Sequence, residues 1–240
     1  MTTTVHGDVS PEGMAFIMGK TFDQWTKDDL RIEFDLRQVE QCDAWNEWVA
    51  MLADIPITIT EYEQMTLDRL YRQATIFIDD WNEWELREQF VSLLVGLVEF
   101  NDLERFVATF SERTLKAMVK GIQDDKEIEL SGIVDWMIAR GRATPRTPYF
   151  FIHEYKQEES GTKSNRGQLL ATMLAAQELN DDGKPIYGAY MLGRNWFFAV
   201  LQGRQYCMSN AYVATKEDEL KDILRLMKAQ KLMIHERVGL

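Results

Sequence analysis

The sequence predicts an α/β core carrying an α-helical N-terminal addition. Three observations lead there. Apolar residues recur at three-to-four spacing over residues 20–100. From Phe110 the chain breaks into short β-branched and aromatic runs separated by Gly, Asp and Pro. Two stretches of helix-forming residues then interrupt and close the strand region, the order of an α/β protein. The 240 residues, 45% hydrophobic and 28% charged with 5 Pro and 14 Gly, exclude disorder, a collagen repeat and a disulfide scaffold.

In chain order, Leu30, Phe34 and Leu36, then Val39, Trp45, Trp48, Val49 and Leu52, mark the first helical region. A break follows at Asp54-Ile55-Pro56, and Thr60 with Glu63 three residues on forms a capping box for a helix through Leu67, Leu70 and Ile76. The segment WNEWELREQFVSLLVGLVEF is apolar around most of its circumference, which predicts a buried helix. RTLKAMVKG, IELSGIVDWMIARG and PYFFIHEYK read as three successive strands. GQLLATMLAAQEL, after Ser164-Asn165, is a helix that stops at the turn signal from Asn180 to Pro185. IYGAYML, WFFAVLQG and RQYCMSN are further strands, and KEDELKDILRLMKAQKL is a closing helix with acids in its first turn and lysines near its last.

The longest apolar run, around Phe90–Phe100, is too short and too polar to span a bilayer. The opening MTTTVHGDVSPEG lacks the basic start and apolar stretch of a signal peptide, so a cytoplasmic location is expected. Cys42 and Cys207 stand far apart in apolar contexts that suit buried thiols rather than a disulfide or a thiolate metal site. Five of the 7 tryptophans fall in the first 84 residues, as in packed helices.

Net charge is -12, which by itself disfavours a polyanionic partner. The charge is uneven, however. Residues 1–110 carry 8 Lys and Arg against 22 Asp and Glu, whereas residues 111–240 carry 19 against 17, and 139–204 carry 9 against 6. Two regions are therefore expected: an acidic α-helical part over 1–80 and an α/β domain over 81–240.

The chemistry concentrates on two neighbouring strands. Asp135 stands between Val134 and Trp136 in a strand able to be buried on both faces, where an unpartnered carboxylate costs several kcal/mol. In YFFIHEYK, the period of two puts Glu154 and Lys156 on one face and His153 and Tyr155 on the other. Two oxygen ligands on adjacent strands are how Mg²⁺ is held beside a phosphoryl substrate, and a neighbouring ammonium adds to charge stabilisation there. His153 is expected as a core histidine, and His6 and His235 as inert. No zinc spacing, nucleophile elbow or phosphate-cradling Gly-rich loop is present.

Asp135, an 18-residue gap and Glu154-Tyr155-Lys156, on consecutive strands followed by a helix, resemble the D-(x)n-E-x-K pattern of the PD-(D/E)XK nuclease superfamily. The resemblance covers roughly residues 80–210, and the proline of the family's name is absent, since Val134 precedes Asp135. It implies a restriction-endonuclease-like core of helix, three-stranded meander, helix and further strands, with an α-helical N-terminal extension. It also implies a nuclease that hydrolyses phosphodiester bonds in DNA with Mg²⁺ or Mn²⁺. Asp135 and Glu154 would be metal ligands, Lys156 would assist the attacking water, and Gln168 would stand where the family's second helix carries a glutamine. Either Glu85 or Glu88 would add a further acid from the preceding helix.

Arg140, Arg142, Arg146, Lys163 and Arg166 are expected to flank the site in the loops at 140–147 and 157–166 and to contact the nucleic-acid backbone, DNA or RNA. The acidic helical half would recruit a protein partner, mediate a homodimer or discourage indiscriminate binding. No membrane partner is expected. Two alternatives stay open on the sequence. One is an inactive nuclease-fold protein that binds nucleic acid or protein; the other is an acidic helical interaction module in which Asp135 and Lys156 form a structural salt bridge.

Overall fold

Helix boundaries follow their capping residues. The computed structural model describes residues 20–54, 57–123, 126–156 and 165–239, and for Ala53, Asp54, Ile152 and Lys156 the backbone alone. A single 3-10 turn, Phe22–Gln24, leads to α1 (Lys27–Phe34), which Thr26 and Asp29 cap reciprocally. A two-residue strand, β1 (Arg37–Gln38), precedes α2 (Asp43–Asp54) and α3 (Glu61–Phe77). Thr60 and Glu63 form the expected capping box at the start of α3. The next helix is continuous but irregular: α4 (Glu83–Leu86) passes through a π-helical turn, Arg87–Val91, into α5 (Ser92–Gly96).

Three long strands follow, β2 (Val107–Lys120), β3 (Glu127–Arg140) and β4 (Arg146–Lys156), then α6 (Asn165–Asn180). Strands β5 (Ile186–Leu192), β6 (Asn195–Gln202), β7 (Gln205–Met208) and β8 (Tyr212–Val213) precede the last helix, α7 (Glu217–Arg237). One mixed sheet holds all the described strands in the order β1-β7-β6-β5-β4-β3-β2, with β8 paired to β6. The meander β2-β3-β4 is antiparallel, α6 crosses over, and β5 returns parallel to β4. The α/β expectation therefore holds at the level of a mixed sheet between helices. The two short strands β1 and β8 are additions that no periodicity in the sequence announces.

Each face of the sheet has its own core. On one, Trp48, Leu67, Leu70, Phe90 and Leu94 pack with Phe151, Phe198 and Leu224, which joins α2, α3, α4–α5 and α7 to the strands. On the other, Phe22, Trp25, Leu30 and Phe34 pack with α6, whose residues from Gly167 to Ala176 are all buried. Gly167 permits the approach of α6 to the N-terminal turn, because a Cβ there would lie 2.0 Å from the Trp25 carbonyl oxygen. The acidic helices thus share a core with the sheet. No helix among the described residues is long and apolar enough to cross a membrane.

Helices α3 and α7 are tied by a partly buried ion pair. Lys228 Nζ donates to Glu63 Oε1 and Oε2 at 2.9 and 3.0 Å and to the Thr58 carbonyl at 2.7 Å. Burial raises the Glu63 pKa, but the Lys228 and Thr60 hydrogen bonds outweigh it and hold the carboxyl below its usual 4.5. A lowered folded-state value means stability that is present above 4.5 and lost as pH falls through the folded value. Glu63→Gln keeps the cap and removes the ion pair. It is expected to cost about 1–3 kcal/mol at neutral pH, with a much smaller difference from wild type in acid, measured by thermal unfolding at both pH values.

Candidate active site at a fork between two strands

Strands β3 and β4 are neighbours for only part of their length. Their paired positions run from Arg140↔Arg146 to Trp136↔His153. Beyond Trp136, β3 continues against β2, with a lone parallel bridge from Thr21 to Ser131 on its other edge, while Glu154, Tyr155 and Lys156 pair with Tyr190, Met191 and Leu192 of β5. The two strands part at Asp135 and Glu154, one on each prong. The Tyr155 N–H, which a continued ladder would have engaged, instead donates to Asp135 Oδ2 at 3.1 Å. Pairing with β2 is also disturbed there, since Glu112 between Ser111↔Trp136 and Arg113↔Val134 takes φ +53. A glutamate in the left-handed region stores about 1–2 kcal/mol of backbone strain.

Both carboxylates are buried, Asp135 at 8% and Glu154 at 1% exposure. Burying a charge to that degree requires hydrogen bonds. Helix α6 supplies them to Glu154: Gln168 Nε2 donates to Oε2 at 2.7 Å and the Thr172 hydroxyl to Oε1 at 3.5 Å. The single Thr172 hydroxyl proton has the Gln168 carbonyl one turn back as its nearer acceptor, at 2.9 Å, so Gln168 is the stronger donor to Glu154. The sequence-predicted Gln168 is thus brought to Glu154, and Asp135 is tied to the backbone of the residue after Glu154. Thr172 joins them without being among the residues the sequence singles out, and its only signal there is its i, i+4 spacing from Gln168.

Asp135 borders a cavity of about 250 Å³ roofed by α4–α5, with Arg87, Asn101, Ser111, Trp136 and Tyr155 also on its wall. Arg87 is likewise absent from the sequence-derived candidates. Its Nη1 donates to Glu112 Oε1 at 2.9 Å and to the Tyr155 hydroxyl at 3.3 Å, which fixes a guanidinium over the cavity. Burial pushes the Tyr155 hydroxyl up to about 12, against the lowering influence of Arg87. That phenol therefore stays protonated. Gln168 borders a second cavity, of about 320 Å³, on the other side of the sheet with Asp23, Gly132 and Ile133.

The acids expected from the preceding helix are engaged elsewhere. Glu85 Oε2 accepts from the Asn82 N–H at 2.9 Å in a capping box, and Glu88 pairs with Arg87 Nε at 3.2 Å. Among the described residues no three His, Cys, Asp or Glu side chains come together as a metal group, so neither Glu85 nor Glu88 joins Asp135 and Glu154. Two carboxylates remain a sufficient donor set for Mg²⁺ or Mn²⁺, which keep waters and take their other oxygens from substrate phosphates. Carboxylate oxygens are the hard donors such an ion takes; of the two, Asp135 borders the open cavity and Glu154 is enclosed against α6. Lys156 ends β4 opposite Leu192, and its side chain lies outside the described residues, as does Lys163.

The basic loop residues are not all where the sequence puts them. Arg140, Arg142 and Arg146 lie at the β3–β4 turn, the closed end of the hairpin, and the fork opens at the other end. Arg140 is five residues along β3 from Asp135, about 17 Å. Arg166 lies in the first turn of α6, two residues before Gln168.

His153 faces away from Glu154, as alternation requires. It stacks on Trp196 with ring centroids 4.8 Å apart and stands edge-on to Trp136 at 6.2 Å. Burial pulls it down to about 3, so it is neutral, and neither ring nitrogen has a hydrogen-bond partner among the described residues. The two cysteines are free.

Comparison of the chain with protein-family models returns no match, and comparison with curated proteins returns none either.

Proposed function

We propose that the chain is a metal-dependent nuclease of the PD-(D/E)XK type, with a restriction-endonuclease-like core formed by α4–α5, the meander β2-β3-β4, α6 and β5. The observation that carries this reading is the fork: two buried carboxylates on the parting ends of adjacent strands, of which Asp135 borders an open cavity and Glu154 is enclosed against α6. Stability alone does not account for it, because a well-packed apolar pair in the same place would be equally good or better. Backbone strain at Glu112, next to Asp135, is a further mark of a site whose geometry is held for chemistry.

Asp135 and Glu154 would hold the Mg²⁺ or Mn²⁺, which supplies a water of lowered pKa and stabilises charge on the phosphate. The protein's part is orientation. Tyr155 N–H fixes Asp135, and Gln168 and Thr172 fix Glu154, so the two oxygen donors are preorganised before substrate arrives. Lys156, two residues beyond Glu154, is the ammonium expected to assist the attacking water and to neutralise charge on the scissile phosphate. Arg87 presents a second cation at the cavity mouth, where a phosphate oxygen would take part of its hydrogen bonding from Glu112.

The test combines Mg²⁺ and Mn²⁺ calorimetry on wild type and Asp135→Ala with cleavage of plasmid and single-stranded DNA by the same preparations. Wild type is expected to bind the ion and cut, and the variant to do neither. A wild type that binds no ion and cuts nothing would return Asp135 and Glu154 to a structural role. Metal-dependent cutting that persists in Asp135→Ala would remove Asp135 from the site.

A further inference from the structure

The turn between β3 and β4 concentrates positive charge on a negative protein. Strand β3 ends at Arg140, Gly141 makes the turn, and β4 begins at Arg146. Gly141 has φ +129, and a Cβ there would lie 2.1 Å from the Thr144 carbonyl, so the loop folds back tightly on itself. Arg140, Arg142 and Arg146 all border one open concavity of about 490 Å³, with Arg105, Phe106 and Thr144. The Arg142 guanidinium lies over the half-exposed Phe106 ring at 5.0 Å, a contact that orients its fork without neutralising it.

What separates these three arginines from most others is the company they keep. Arg31, Arg37, Arg87, Arg194 and Arg237 each sit against a carboxylate, and in the concavity itself Arg105 is paired with Asp102 at 2.9 Å. No Asp or Glu lies within ion-pair distance of Arg140, Arg142 or Arg146 among the described residues. A chain with 39 acidic and 27 basic residues thus gathers three guanidiniums around one hollow with no described carboxylate to pair them. Their repulsion is relieved by an anion with several oxygens at phosphate geometry, which the planar guanidinium fork matches.

We infer that this concavity is a backbone-phosphate clamp for nucleic acid, remote from the fork, with Arg140, Arg142 and Arg146 as its ligands. The inference rests on the nuclease reading for its occupant and deepens it. Separation of about 17 Å along β3 corresponds to about five nucleotide steps at 3.4 Å each, so the clamp would grip the strand well away from the cleaved bond. Phe106 adds an aromatic face on which a base can stack. A guanidinium-to-phosphate contact carries no sequence information, so the clamp sets register and affinity and leaves specificity to other parts.

The test uses the full chain with Glu154→Gln, so that bound substrate is not consumed. Its affinity for labelled single- and double-stranded oligonucleotides is measured against NaCl concentration in Mg²⁺-free buffer, alone and with R140Q/R142Q/R146Q added. The triple substitution is expected to weaken binding about 10- to 100-fold at low salt. It should also reduce the slope of log K against log salt by about 2 to 3, one contact per arginine. R140K/R142K/R146K, which keeps the charge, should retain most of the slope. Thermal unfolding of each variant separates loss of fold from loss of contacts. Unchanged affinity and slope in the triple glutamine variant overturn the inference, and so does a protein that binds polyglutamate in an arginine-dependent way but no oligonucleotide. Wild-type cleavage in Mg²⁺, run alongside, keeps the two readings apart. Cutting without arginine-dependent binding removes the clamp and spares the nuclease, while arginine-dependent binding by a protein that cuts nothing does the reverse.

Discussion

Glu154→Gln is expected to lose about 10³-fold or more of metal-dependent phosphodiester cleavage, a barrier increase of about 4 kcal/mol, while the protein stays folded. The two halves of that expectation come from the same contacts. Glu154 is 1% exposed and accepts from Gln168 and Thr172. An amide in its place keeps one oxygen acceptor for Gln168 at nearly the same shape and turns its NH2 toward Thr172, so a stability cost of about 1–2 kcal/mol is expected. The metal and the developing phosphate charge, by contrast, lose an anionic ligand that a neutral carbonyl does not replace. If Glu154 were one partner of a purely structural ion pair, the variant would lose about 3–5 kcal/mol of stability. Denaturant unfolding and cleavage rates on one preparation decide between the two. A variant that cuts like wild type removes Glu154 from the chemistry.

The carboxylates are legible in the sequence because their residue types contradict their surroundings. Asp135 interrupts the apolar run from Ile133 to Ala139, and Glu154 ends one, so each demands a partner or a task on residue type alone. Alternation then fixes which side chains share a face, and His153 does point away from Glu154 toward Trp196. The fork itself is not legible, because where β4 loses β3 and keeps β5 is decided by register between strands, one of them beyond α6. The same long-range fact misplaces the arginines. A loop joining two site-bearing strands looks near the site in sequence, yet in an antiparallel hairpin it is at the opposite end from the place where the strands part.

Glu85 shows a different failure, one of competing local uses. Asn82 and Glu85 have the spacing of a capping box, and that short-range demand takes the side chain that the nuclease pattern wants as a ligand. The π-helical turn at Arg87–Val91 shifts the helical phase just beyond it, so Glu88 pairs with Arg87 and it is Arg87 that lines the cavity with Asp135. The charge boundary near residue 110 is real as composition, but it marks no gap in packing. Trp48 and Leu70 from the acidic helices lie in one cluster with Phe151 and Phe198 from the sheet.

That shared cluster makes Trp48 the most consequential single side chain outside the site. Its exposure is 0%, and its ring meets Tyr187, Phe198 and Phe151 edge-on at centroid distances of 5.2, 5.4 and 6.4 Å. Its Nε1 donates to the Leu226 carbonyl of α7 at 2.9 Å, so one residue of α2 joins the central strands to the last helix. Truncation to alanine opens a cavity that three aromatic neighbours, held by their own strands, cannot collapse to fill. Trp48→Ala is therefore expected to cost about 4–5 kcal/mol and to lower the thermal midpoint by about 10 °C or more. Trp48→Phe keeps most of the volume and loses the indole donor, so about 1–2 kcal/mol is expected there. A loss below about 1 kcal/mol in Trp48→Ala would mean that α2 is an appended helix rather than part of the core. Because the same cluster supports Phe151, three residues before Glu154 on β4, the alanine variant should also reduce metal affinity at the fork, whereas the phenylalanine variant should leave it nearly intact.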